Sequence, residues 1–156
     1  MCLNKVVTGT QNTGLGWNAG ASVTGSNNTI IGANALEILA NSNQVTAIGA
    51  NAGRKTLNNR PVTDYRFVLI GYNTGRTVAS ATELTNYIGI GYEAEVSASN
   101  QTVIGNSAMA EVYLGSVSGA AKLFCAKVRF TAIPTSNSGL SAGDVWSNSG
   151  VLTIVS

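Results

Sequence analysis

The sequence predicts an all-β chain built as a β-solenoid, and three observations predict it. The eight-residue phrase Thr46-Ala47-Ile48-Gly49-Ala50-Asn51-Ala52-Gly53 returns around Gly16, Gly32, Gly71, Gly91 and Gly105, and in decayed form at Val112 to Gly119 around Gly115. The repeat glycines are spaced 16, 17, 22, 20, 14 and 10 residues apart, so one small coil per repeat accounts for the shorter intervals and insertions for the two longest. Charged residues are only 10% of the chain while hydrophobic residues are 44%, against roughly 25% charged in an ordinary soluble domain. A chain with so little charged surface is expected to cover part of its outside, and identical copies of itself are the simplest cover.

Each half of the phrase has its own physics. Thr-x-Ile places β-branched or aliphatic side chains at every second position, which suits a short strand with one buried face. Gly-x-Asn-Ala-Gly is turn chemistry, because Gly and Asn enter the left-handed backbone region at little cost. One strand and one corner cannot bury an apolar side alone, so the units must stack. A second phrase precedes several copies, as Ser26-Asn27-Asn28, Ser42-Asn43-Gln44 and Ser99-Asn100-Gln101, and is expected to form the opposite corner.

In chain order, residues 1–12 form an N-terminal segment with a weak strand from Leu3 to Thr8, residues 13–119 the repeat solenoid, and residues 120–156 a small C-terminal β cap. Trp17 stands at a corner and is expected to be a packing cap. Two insertions, Arg54 to Tyr65 and Arg76 to Asn86, are expected to stand off as loops; Pro61 bars a central strand position in the first. Insertions at corresponding places of successive coils project from one side and are expected to form one patch. Lys122 to Phe130 reads as a strand, and Val145-Trp146-Ser147 is expected to pair with Val151 to Val155 across Asn148-Ser149-Gly150 as a hairpin.

Several function classes drop out. No apolar run approaches 18 residues, so no membrane insertion is expected, and the first residues lack a hydrophobic core of signal-peptide length. A net charge of +2 without a basic helix gives no reason to expect nucleic acid. The chain has no His, and Cys2 and Cys125 have no ligand spacing, so no metal site and no cofactor are expected. Cys125 reads as a small buried apolar residue. Arg54, Lys55, Arg60, Arg66 and Arg76 gather around the first insertion, either as a solvated loop or as a surface for an acidic ligand.

The tandem phrases Asn27-Asn28-Thr29-Ile30-Ile31-Gly32-Ala33-Asn34-Ala35 and Ser99 to Ala108 resemble the head repeats of trimeric autotransporter adhesins, and more closely the repeats of phage tail-fibre and tailspike proteins. The ending, Ile133-Pro134 through Gly143-Asp144-Val145-Trp146 to Val155, resembles the closing segment of many phage fibre proteins. The resemblance covers about residues 13–156. It implies a homotrimer of left-handed β-rolls around a common axis, with stacked Asn or Thr rings that hold either water or an ion, or simply bond to each other. It further implies a non-enzymatic fibre or receptor-binding segment of a virion tail on its host-facing side, with other tail proteins and a host-surface glycan as partners. The alternatives are a polysaccharide-degrading tailspike fragment and a bacterial trimeric adhesin head.

Catalysis is not expected. Glycoside cleavage needs two carboxyl groups facing across a sugar. Glu93 and Glu95 share a face on extended backbone, but they occupy turn positions and read as polar surface. A Ser-His-Asp triad needs the missing His. The glycan-contacting residues expected are Tyr65, Arg66 and Tyr87 from the loops around 54–66 and 76–87, with Tyr72 and Tyr92 at the corners, either stacking on sugars or packing on each other in a column.

Overall fold

The structure, a computed structural model, describes residues 9–37, 41–54, 65–77, 83–109, 112, 133–136, 138–140 and 144–155. The expected strands at Leu3 to Thr8 and Lys122 to Phe130, the interiors of both insertions, the decayed repeat beyond Val112 and both cysteines lie outside these residues. The chain divides into two compact units, Met1–Glu111 and Val112–Ser156. Among the described residues every regular element is a strand.

In the first unit, β1 (Thr13–Leu15), β2 (Thr29–Ile31), β3 (Asn43–Ile48), β4 (Tyr65–Ile70), β6 (Thr85–Ile90) and β8 (Thr102–Ile104) form one parallel sheet in chain order. Thr13 pairs with Thr29, Thr29 with Thr46, Thr46 with Val68, Val68 with Ile88, and Ile88 with Thr102. Those register steps equal the glycine intervals, so each strand lies one repeat further on. This is the topology of a β-solenoid. Two shorter strands, β5 (Gly75–Arg76) and β7 (Glu95–Val96), form a second parallel pair after the corner.

The repeat glycine is required by the way the coils stack. Gly16, Gly32, Gly49, Gly71 and Gly91 have φ between 117° and 135°. A Cβ built on Gly71 would lie 2.3 Å from the carbonyl oxygen of Gly91, and one on Gly49 would lie 2.4 Å from that of Gly71. Side chains are therefore excluded by conformation and by space together. The corner backbone is satisfied between coils: Asn34 N–H donates to Trp17 O at 2.8 Å and Asn51 N–H to Ala33 O at 2.9 Å, while Gly20 N–H donates to Ala35 O at 2.9 Å. Asn18, Asn34, Asn51 and Asn73 turn the corner at φ 52° to 58°, as expected of Asn, and Glu93 takes the same place at φ 50°.

The structure corrects one reading of the phrase. Its recurrent Ile or Leu is not core. The residue between Thr and Ile points inward, so Ile30, Ala47 and Leu69 are buried, while Leu15, Ile70, Ile90 and Ile104 are exposed. Alternation gives one buried face but not which parity it has, and here the interior of so small a coil takes the middle residue and the corner alanines Ala19, Ala35, Ala52 and Ala94. Two outward columns result, Thr13-Thr29-Thr46-Val68-Ile88-Thr102 and Leu15-Ile31-Ile48-Ile70-Ile90-Ile104, and neither contains a charge.

A second interior column changes character along the unit. Four residues before each repeat glycine, it runs from half-buried Asn12 through buried Asn28, Val45, Phe67 and Tyr87 to half-buried Gln101. Asn28 Nδ2 donates to Asn12 Oδ1 at 3.0 Å and to Ser42 O at 2.8 Å, and its Oδ1 accepts from Val45 N–H at 3.1 Å. Burying this amide is tolerable because it is paired on both sides.

In the second unit, β9 (Val145–Asn148) pairs antiparallel with β10 (Val151–Ile154), with Ile154 opposite Val145. Ser149 and Gly150 both have positive φ, 51° and 89°, the signature of a two-residue turn whose twist matches its strands.

Candidate binding surface

The second corner of every coil falls five residues before the repeat glycine. Gln11, Asn27, Gln44, Arg66, Asn86 and Asn100 occupy it, all with φ between 56° and 63°. The residue before each is small and polar in five of the six coils: Thr10, Ser26, Asn43, Thr85 and Ser99. Three of those side chains tie neighbouring coils, as Thr10 N–H donates to Ser26 Oγ at 3.0 Å, Ser26 N–H to Asn43 Oδ1 at 2.8 Å and Thr85 N–H to Ser99 Oγ at 3.0 Å. The fourth coil has Tyr65-Arg66 instead. There the Arg66 guanidinium carbon lies 4.8 Å from the centre of the Tyr65 ring, a cation–π contact.

Tyr65 and Arg66 therefore belong to the first strand positions of β4, not to a loop standing off the coil. Arg66 is exposed and Tyr65 half-buried. Tyr87 needs a larger correction. It lies in β6, 2% exposed, with its ring stacked on Phe67 at 4.7 Å between centroids, and offers nothing to a ligand. Its place four residues before Gly91 matches Val45 before Gly49 and Phe67 before Gly71, and that spacing is the signal that assigns it to the interior.

Tyr72 and Tyr92 are at the surface, 49% and 60% exposed, one coil apart, with ring centroids 5.7 Å apart and planes within 10°. They pack on each other and still present ring surface. Trp17 occupies the equivalent corner position, following Gly16 as Tyr72 follows Gly71, and is 64% exposed rather than capping the stack. The position after the repeat glycine is thus aromatic in three of the six coils and is Ala33, Ala50 or Asn106 in the others.

The charged groups are distributed unevenly. Arg54 Nε donates to Glu37 Oε2 at 2.8 Å, and Arg76 is 3% exposed within β5. Arg66 makes no ion pair among the described residues. Glu93 and Glu95 line a cleft of about 390 Å³ with Val103, Ile104, Gly105, Asn106 and Ser107. Glu93 Oε1 accepts from Asn73 Nδ2 at 3.3 Å. Among the described residues no cluster of three metal-ligating side chains occurs.

No protein-family model, no curated protein and no solved structure matches the chain.

Proposed function

We propose that this chain is a structural fibre or receptor-binding segment of a phage tail that assembles as a homotrimer and attaches, without catalysis, to the host surface. The observation that carries the reading is the outer face of the six-stranded sheet. Beside the second-corner column that contains Arg66, two columns hold only Thr, Val, Leu and Ile, with Leu15 66% and Ile104 46% exposed. A sheet face of that composition supports burial against a partner. A second copy matches it best, because an identical solenoid presents the same aliphatic rungs at the same spacing, about 4.8 Å per strand. The absence of charge from both columns removes the repulsion that like residues would meet about a symmetry axis. The exposed Tyr72, Tyr92 and Trp17, and the Tyr65-Arg66 corner, supply the chemistry expected of glycan contact.

Light scattering on the purified protein tests the assembly: a mass near three chains of 16.0 kDa supports the reading, and a monomer overturns it. Binding of the labelled trimer to intact bacterial cells tests attachment.

A second reading, polysaccharide cleavage, draws on Glu93 and Glu95 lining one cleft. It requires depolymerisation of a host polysaccharide that Glu93→Gln or Glu95→Gln abolishes.

A further inference from the structure

We propose that the Tyr65-Arg66 corner is the point at which the protein grips the acidic groups of a surface polysaccharide, carboxylate or phosphate. The inference deepens the host-attachment reading and rests on it for its biological meaning.

Its basis is a double departure from a rule that the other coils keep. Five of the six second corners combine a small polar residue with an Asn or Gln in the left-handed region, Thr10-Gln11, Ser26-Asn27, Asn43-Gln44, Thr85-Asn86 and Ser99-Asn100. Asn enters that region readily, and the small polar neighbour ties two coils together. At the fourth coil both contributions are given up. Arg66 holds φ 56°, where a long side chain gains nothing from the backbone, and Tyr65 stands where Ser26, Asn43 and Ser99 accept a backbone N–H from the coil before. A local rule broken twice in succession, at an exposed position, points to a site kept for contact.

The replacement pair is also organised. With its carbon 4.8 Å from the Tyr65 ring centre, the guanidinium is held in place before any ligand arrives. A guanidinium so placed is suited to paired hydrogen bonds with a carboxylate or phosphate. The other arginines described in this region are engaged, Arg54 with Glu37 and Arg76 by burial. On the coil beyond, Asn86 Nδ2 donates to Asn100 Oδ1 at 2.8 Å, continuing a row of exposed amides along which a sugar chain would run.

The experiment compares wild type, Arg66→Asn and Arg66→Lys for binding to polygalacturonate, poly(glycerol phosphate) and dextran by isothermal titration calorimetry at physiological ionic strength. Arg66→Asn installs the residue that the next coil carries as Asn86, so it is expected to keep the fold and to melt at the same temperature as wild type or higher. Wild type is expected to bind at least one acidic polymer and not dextran, with affinity falling about tenfold or more in Arg66→Asn. Arg66→Lys is expected to fall between them, because it keeps the charge and loses the fork. Which polymer binds distinguishes carboxylate from phosphate. The assignment is overturned if Arg66→Asn binds as wild type does, or if wild type binds neither acidic polymer. A trimer that attaches to cells but ignores both polymers would sink this corner and leave the attachment reading standing; a monomer that binds them through Arg66 would do the reverse.

Discussion

Phe67 and Tyr87 stack inside the first unit with ring centroids 4.7 Å apart and planes within 8°, one coil above the other and in direct register. They are the largest members of a column that begins in asparagine, and they sit on the two coils reached by the longest strides. Phe67→Ala is therefore expected to remove about 3–5 kcal/mol of stability, the transfer term plus the cavity term, in denaturant unfolding followed by circular dichroism. A loss below about 1 kcal/mol would mean that the column is not packed as described.

The glycine column gives a sharper contrast. Gly71→Ala brings a Cβ to 2.3 Å from the Gly91 carbonyl oxygen at φ 135°, whereas Gly139 has φ 80° with nothing within 4 Å of a Cβ. Gly71→Ala is expected to cost more than about 3 kcal/mol and Gly139→Ala about 1–2 kcal/mol, the latter from backbone conformation alone. Equal melting temperatures for the two variants would contradict the stacking of the repeat glycines.

Asn28 is buried and bridges the carbonyl of Ser42 and the N–H of Val45. Replacing it by Ala leaves both backbone groups without that partner inside the coil. The expected cost is about 2–5 kcal/mol, with faster amide exchange at Val45 as the local readout.

The outer face offers a test that separates assembly from folding. Ile70 and Ile90 point away from the core, each 38% exposed. Ile70→Lys and Ile90→Lys are expected to leave the circular dichroism spectrum of the coil unchanged while reducing the mass in light scattering from three chains to one. Three lysine charges around an axis repel, and a buried unpaired ammonium is costly. Retention of a trimer in the double variant would remove the sheet face from the proposed interface.

Much of this fold was legible in the sequence because a solenoid converts spacing into register. The intervals between Gly16, Gly32, Gly49, Gly71, Gly91 and Gly105 equal the steps of the sheet. The hairpin around Ser149-Gly150 was legible from its turn chemistry. What was not legible is the facing of each residue. Alternation leaves two parities open, and the recurrent isoleucine went to the outside because the corner's small interior accepts Ala and the middle residue of the strand. The second corner was legible only where it kept the Asn or Gln spelling. Tyr65-Arg66 hid it, and with it the place of Tyr87, although counting back from Gly71 and Gly91 recovers both. The stacking of Tyr72 on Tyr92 followed from their shared repeat position; their exposure did not, since it depends on which side of the strand the corner opens.

From the second corner to the repeat glycine the residue count never changes, five from Gln11 to Gly16 and five from Asn100 to Gly105, while the stride between successive glycines ranges from 14 to 22. All the variation in length thus falls between one repeat glycine and the next second corner. The coil works as a fixed ruler joined to an adjustable return path, and foreign sequence spliced into that path has an address that leaves the ruler unmoved. A change of length within that path is expected to leave the pairing of Thr46 with Val68 and of Val68 with Ile88 as it stands, because neither partner lies in it.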